Sequence, residues 1–311
     1  MPDGLVDGLA AVLGVAEIAG LTRLSGGASR DTWRFRADGR SLILQRQREG
    51  DVRDMDTEID AVRAAGAAGV PTARVVVAST DRTQLGAYMI VTDVEGETNP
   101  RKILRDAEYD RARQALPTQL ARALATIHAI DPAAIPGLAC TDQVEQYREV
   151  LDTLGHPHPT FELALRWLEG NRPPTARSGV VHGDFRLGNV IVGAEGLRAV
   201  LDWELVHIGD PLEDLGWLCV KAWRFGSPHP VAGICDYQQL FEAYEAASGC
   251  AVDHDVVRWW EVLGTMKWGI MCIMQANAHL TGVARSHELA AIGRRVCENE
   301  QDLFLALEGH W

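Results

Sequence analysis

Apolar and polar positions change rhythm about a third of the way along the chain. Between Leu21 and about Val94 the apolar positions come in short bursts: Trp33-Arg34-Phe35-Arg36 alternates with period two, and Ser41-Leu42-Ile43-Leu44 follows an Asp38-Gly39 turn. Arg74-Val75-Val76-Val77 and Tyr88-Met89-Ile90-Val91 are rich in β-branched and aromatic side chains, so all four segments are expected strands. One helix is expected among them, from about Asp54 to Gly66, closed by Gly66-Ala67-Ala68-Gly69 ahead of Pro71. The first twenty residues read as an amphipathic helix.

After Gly96 the spacing becomes helical. Leu116, Leu120, Leu124 and Ile127 share one face of a helix that stops near Asp131-Pro132. Further helices are expected over about 142–154 and 159–169, and in the tail, where Val256, Trp260, Leu263, Ile270 and Met274 keep the same spacing. A short β island interrupts at residues 180–202: Gly179-Val180-Val181 leads in, Asn189 to Val192 follows, and Leu197 to Leu201 returns after a Gly193–Gly196 turn. Strands and helices do not alternate as in a dinucleotide-binding sheet. The expectation is an α+β fold in two lobes, a small β-rich lobe over residues 1–96 and a large helical lobe over 97–311.

The chain has 311 residues, 43 acidic against 30 Lys and Arg, for a net charge of −13. That excess excludes a general nucleic-acid binder. A hydrophobic share of 47% with 23% charged residues excludes disorder as the main state. A chain of this length buries enough surface to need no disulfide. The six scattered cysteines, with no C-x-x-C pair, therefore read as reduced thiols in a cytoplasmic protein. No run of about 18 apolar residues suggests a membrane span. Asp3 and Asp7, with no Lys or Arg before Arg23, do not make a secretory signal. His156 and His158 flank Pro157 and the helical histidines stand singly, so no zinc set is expected.

The chemistry concentrates in residues 180–204, VVHGDFRLGNVIVGAEGLRAVLDWE. Asn189 follows Asp184 by five residues, and Asp202 ends the next apolar strand. A kinase catalytic loop, H-R-D-x-x-x-x-N, has the same Asp-to-Asn interval, with a magnesium-binding Asp after it. The spacing has a chemical reason. A hydroxyl needs a carboxylate to orient it and accept its proton, and a triphosphate needs hard oxygen ligands that hold Mg²⁺ against its charge. Arg186 lies where a cation can reach the transferring phosphate.

HGDFRLGN followed by LDWELVHIGDPLEDLGWL closely resembles the aminoglycoside phosphotransferase-like (choline kinase-like) superfamily. Within it the chain is most similar to the kinase-like domains fused to some acyl-CoA dehydrogenases and to their free-standing bacterial relatives. The resemblance covers about residues 20–305. It implies a two-lobed fold like that of the eukaryotic protein kinases, and transfer of phosphate from ATP or GTP to a small-molecule hydroxyl. It implies Asp184 as catalytic base, with Arg186 beside it, and Asn189 and Asp202 as Mg²⁺ ligands. Glu204 is a possible additional ligand. Gly183 stands where protein kinases carry Arg, and no extended activation segment ending in Ala-Pro-Glu follows Asp202.

The N-terminal match is looser. LSGGASRDTWRF resembles the loop that covers the nucleotide, with Gly26 and Gly27 admitting the phosphates and Ser25, Ser29 and Arg30 as donors. The phosphate-gripping lysine expected on the next strand is missing from SLILQRQ, where Gln45 and Arg46 stand instead. Side chains alternate along a strand, so only one of the two can face the nucleotide. Charge favours Arg46 and register could favour Gln45. Glu58 matches the lysine's partner carboxylate, and the backbone of Thr92, Asp93 and Val94 matches the hinge that reads the purine. Asp210 and Pro211 are expected to open a helix whose Asp214 braces the catalytic loop. Trp217, Trp223, Trp259, Trp260 and Trp268 are expected mostly in the core, some lining an acceptor pocket with Arg224 and Lys267.

These features imply a small-molecule acceptor, a hydroxyacyl-CoA or an aminoglycoside-like compound among the options. No nucleic-acid or membrane partner is expected, and the state is monomer or homodimer. The competing reading, prompted by the missing lysine, is a nucleotide-binding pseudokinase with a scaffolding or regulatory role.

Overall fold

A computed structural model describes residues 4–24, 30–48, 55–81, 85–174 and 177–309. Helix α1 (Leu5–Leu13) precedes strands β1 (Ile18–Arg23), β2 (Arg30–Ala37) and β3 (Arg40–Gln47). Helix α2 (Met55–Ala68) follows, then β4 (Val75–Ser79) and β5 (Tyr88–Thr92). The strands form an antiparallel sheet in the order β1-β2-β3-β5-β4.

Strand alternation gives this sheet two apolar faces. Trp33, Phe35, Leu42, Leu44, Tyr88 and Ile90 pack with Leu5 and Leu9 of α1. Met89, Val91 and the partly buried Ile43 face the other way, onto Met55, Ile59 and Val62 of α2 and the main core that continues into the helical lobe. On β3, even-numbered residues thus point to α1 and odd-numbered ones to α2.

The second lobe begins with α3 (Pro100–Arg105), α4 (Asp110–His128), α5 (Gln143–Leu154) and α6 (Pro159–Gly170). The β island comprises β6 (Gly179–Val181), the hairpin β7 (Val190–Gly193) and β8 (Gly196–Val200), and β9 (His207–Gly209), which pairs with β6. Three residues are too few to show a period, so β9 left no signal in the sequence. Helices α7 (Leu212–Cys219), α8 (Tyr237–Ser248), α9 (His254–Leu280), α10 (His287–Ile292) and α11 (Val296–Leu307) complete the lobe. Among the described residues no helix is long and apolar enough to cross a membrane.

Leu116, Leu120, Leu124 and Ile127 of α4 are all buried, as their spacing predicts. Asp210 accepts the Leu212 N–H at 2.9 Å and so fixes where α7 starts. That helix crosses α9 at Gly216, where a Cβ would lie 2.5 Å from the Cβ of Trp260 and 2.8 Å from the Glu261 nitrogen. The close approach sets the depth of α7 beneath the β island.

Gly216→Ala should therefore destabilise the protein by about 1–3 kcal/mol through overpacking, although helix propensity alone would stabilise it by about 1 kcal/mol. Thermal unfolding checks the sign: a lower melting temperature is expected, and an equal or higher one contradicts the contact.

Candidate active site

The loop between β6 and β7 carries His182, Gly183, Asp184, Arg186 and Asn189. Gly183 has φ 79°, and a Cβ there would sit 2.4 Å from the Leu205 carbonyl oxygen, so only glycine fits. This accounts physically for glycine where protein kinases carry arginine.

The loop is pinned from below by α7. Asp214 is fully buried and accepts the N–H of His182 at 2.8 Å and of Gly183 at 2.9 Å. His128 of α4 donates from Nε2 to the same carboxylate at 3.0 Å. Burial pushes the Asp214 pKa up, but the His128 hydrogen bond and charge and the His182 amide outweigh it, so the group lies below the ordinary carboxylate range. The expected bracing role is what the geometry has.

His182 is itself buried. Its Nδ1 accepts the Asp184 N–H at 3.2 Å, so its Nε2 carries the hydrogen that is donated to the Leu201 carbonyl at 3.0 Å. Burial lowers its pKa, which keeps the ring neutral in that tautomer.

Asp184 stands at the focus. Its Oδ1 accepts from Arg186 Nε at 3.0 Å and from the Trp217 indole at 2.8 Å, and its Oδ2 accepts from Asn189 Nδ2 at 2.6 Å. Asn189 also donates to the Asp184 carbonyl at 3.0 Å. The Arg186 guanidinium lies 4.7 Å over the Trp223 ring.

Trp217 was expected in the core or along an acceptor pocket, and not on Asp184. It sits one turn after Asp214 on α7, so one helix face holds both the loop backbone and the carboxylate that the loop presents. An Asp and a Trp at i, i+3 in a buried helix were the available signal. Lys267 was expected beside an acceptor pocket and is instead buried under the loop. Its Nζ donates to the Gly183 carbonyl at 3.2 Å and lies 3.5 Å from Glu213 and 4.8 Å over the Trp217 ring. Glu213 also receives His207 Nε2 at 3.0 Å, which makes a compact charged network beneath the loop.

Asp202 follows β8 with φ 63°, a conformation that an Asp tolerates better than most residues. Poor solvation among the surrounding protein, then the charges of Glu204 and Asp184, raise its pKa, while Arg186 and Arg30 hold it down. The residue nevertheless is exposed to solvent, where a cation can reach it. The donor set suits a hard metal ion: Asn189 turns its amide hydrogens to Asp184 and keeps an oxygen, and Asp202 brings a carboxylate that its neighbours crowd with negative charge. Among the described residues no three His, Cys, Asp or Glu side chains form a metal set by themselves.

The N-lobe candidates divide. Ser25, Gly26, Gly27 and Ser29 lie outside the described residues. Arg30 opens β2 and forms a two-pronged ion pair with Glu58 of α2. On β3, Arg46 is turned away from the cleft: it shares the α1 face with Leu42 and Leu44 and lies 3.6 Å from Asp31. Gln45, opposite Thr32 and Met89, is on the α2 face. Register thus overrides charge, and the preference for Arg46 is corrected. At the hinge, the Thr92 N–H donates to the Arg74 carbonyl at 3.0 Å and the Asp93 N–H to the Ser41 carbonyl at 3.1 Å. Both donors are therefore committed to the sheet, and a purine would have to use the hinge carbonyls or Val94. The Asp93 side chain is tied to Arg34 at 2.9 Å and Ser41 at 2.8 Å.

A small antiparallel lobe over a helical one, with an Asp-Asn loop and a second Asp on the following hairpin, defines a kinase-like phosphotransferase fold. The phosphotransferase enzyme family model (APH) matches residues 20–260, and the chain belongs to that family. A putative aminoglycoside phosphotransferase from Ralstonia eutropha has a TM-score of 0.77 at 20% identity, covering 97% of each chain. Spectinomycin phosphotransferase, solved with ADP and spectinomycin, has a TM-score of 0.71 at 13% identity, covering 98% of this chain and 99% of that one. Acyl-CoA dehydrogenase family member 10 of Mus musculus is 29% identical over 230 residues, which are 68% of this chain and 21% of the relative. The chain spans about a fifth of that relative's length.

Two outcomes follow from the loop's supports. Asp214→Ala leaves two buried amide donors without a partner and should cost about 2–6 kcal/mol, at 1–3 each. A carboxylate whose folded pKa is depressed contributes stability above its unfolded pKa, ordinarily 3.8, and loses it as pH falls through the folded value. Urea unfolding should accordingly show the gap between wild type and variant narrowing below about pH 4, and a constant gap would contradict the charged Asp214. Trp217→Phe keeps the ring but removes the hydrogen bond to Asp184. It should lower kcat about tenfold with little change in the KM for nucleotide, and a pure KM effect would contradict the assignment.

Proposed function

We propose that this protein is a small-molecule kinase, which moves the γ-phosphoryl group of ATP or GTP to a hydroxyl of a metabolite. The observation that carries the reading is the Asp184 carboxylate, held by three side-chain donors on a loop whose backbone is fixed at Gly183. Asp184 orients the acceptor hydroxyl and takes its proton. A bond forms between the acceptor oxygen and the γ-phosphorus as the bond to the β,γ-bridging oxygen breaks, and the nucleoside diphosphate leaves. Arg186, already on Asp184, is placed to meet the transferring phosphoryl group. Asn189 and Asp202 would hold Mg²⁺, which supplies charge neutralisation on the phosphates when bound.

For the acceptor, we favour an anionic hydroxylated molecule such as a hydroxyacyl-CoA over a polycationic aminoglycoside. A cavity of roughly 1330 Å³ is lined by Arg101, Arg105, Lys221, Arg224 and Arg295 against two carboxylates, on a chain whose overall charge is strongly negative. Its walls adjoin the catalytic loop. Pro100 lies beside Gly188, and Ala222 precedes the Trp223 that stacks on Arg186. Lys221, Arg224 and Arg295 have carboxylate partners, which leaves Arg101 and Arg105 as the cations of the lining without an ion pair among the described residues. The name of the mouse relative points to the same acyl-CoA chemistry.

One observation favours the second reading, a nucleotide-binding pseudokinase: the cleft-facing position of β3 is Gln45, without charge. The two readings part on turnover. Asp184→Ala should reduce Mg²⁺-dependent transfer of labelled γ-phosphate, to acceptor or to water, by about 10²–10⁴ while nucleotide binding persists. A loss below tenfold would place the base elsewhere, and nucleotide binding with no transfer by the wild type would favour the pseudokinase.

A further inference from the structure

A cleft that grips a triphosphate needs a cation on the N-lobe face that looks into it. In protein kinases a β3 lysine does this while paired with a helix glutamate. Here the helix glutamate is present and buried, and the β3 position is not charged. Glu58 has a side chain only 4% exposed, and an isolated carboxylate in such a place is costly. The cation that meets it comes from a different strand.

Arg30 is the first residue of β2. Thr32 pairs across the sheet with Gln45, so Arg30, two residues before Thr32, lies on the same face as Gln45. Its guanidinium forks onto both carboxylate oxygens of Glu58, and its side chain is 11% exposed. Arg46 and Arg48 cannot substitute. They alternate onto the α1 face, where both lie beside Asp31.

We propose that Arg30 supplies, from β2, the phosphate-gripping cation that β3 lacks, with Glu58 as the carboxylate that braces it. The inference rests on the kinase reading above, since it needs a triphosphate in the cleft. The chemistry suits arginine. A planar guanidinium carries five N–H donors in a fixed fork, so one group can brace a carboxylate and meet phosphate oxygens. The relocation also explains how β3 tolerates Gln45: the counter-charge that buried Glu58 requires already arrives from the neighbouring strand.

The test moves the charge back. Calorimetric titration in Mg²⁺ compares the imido analogues of ATP and GTP with adenosine and guanosine, on wild type, Arg30→Ala, Arg30→Ala/Glu58→Gln and Arg30→Ala/Gln45→Lys. The second variant removes both charges, so it stays informative if Arg30→Ala alone fails to fold around an unpaired Glu58. Expected is a loss of about ten- to a hundredfold in triphosphate affinity in the first two variants, with nucleoside affinity unchanged. Gln45→Lys should restore most of it by rebuilding the β3 arrangement. Unchanged triphosphate affinity without Arg30, an equal loss for triphosphate and nucleoside, or no recovery with a folded Gln45→Lys variant would each overturn the inference while leaving the kinase reading intact. A wild-type protein that binds neither triphosphate nor nucleoside would overturn both.

Discussion

The buried carboxylate of Asp214 is the constraint on which the site's geometry depends. It stays charged out of contact with water because two loop amides and one imidazole nitrogen point at it, each at hydrogen-bonding distance. Those amides belong to His182 and Gly183, so the residue that follows, Asp184, inherits a fixed position. A buried charge satisfied this way is expensive to disturb: removing the carboxylate leaves its donors unpaired, and removing a donor leaves the charge less compensated. Lys267 extends the grip to the next peptide, between Gly183 and Asp184, by donating to the Gly183 carbonyl. The loop is therefore held by its own backbone, and its side chains are left for chemistry.

The same helix serves twice. Asp214 and Trp217 lie one turn apart on α7, and the Gly216 between them lets α7 settle against α9 without a side chain in the way. Seating depth, backbone restraint and the aim of the Asp184 carboxylate are consequences of one packing contact. Beneath it, Glu213, His207, Gln143 and Lys267 satisfy one another, so the charge that supports the loop does not have to be supported by water.

Much of this was legible in the sequence, and the parts that were not share a cause. The strands of the first lobe, the long helices and the Asp184–Asn189–Asp202 spacing declare themselves because each is a local pattern. The bracing role of Asp214 came instead from the likeness to kinase folds, in which a residue so placed holds the catalytic loop. The roles of Trp217 and Lys267 were hidden because each acts across the fold: an indole in an apolar helix reads as core until its N–H is seen on Asp184, and Lys267 reads as a pocket-lining cation until its Nζ is seen on the Gly183 carbonyl. The choice between Gln45 and Arg46 depended on which sheet face meets α2, and Leu42 and Leu44 on the α1 face settle it. Arg30 could be named as a donor from its place after a glycine-rich segment, but its pairing with Glu58 joins residues 28 apart. No periodicity encodes that contact.

Phosphorus NMR of the wild-type protein with Mg²⁺–ATP, or Mg²⁺–GTP, and a panel of hydroxylated metabolites that includes hydroxyacyl-CoA thioesters tests the central claim most directly. The account predicts that the γ-phosphate signal is replaced by those of the diphosphate and of a new phosphate monoester, and that anionic acceptors are the ones consumed. A triphosphate that is bound by the folded protein and yet remains intact, with every acceptor and with water alone, would contradict it.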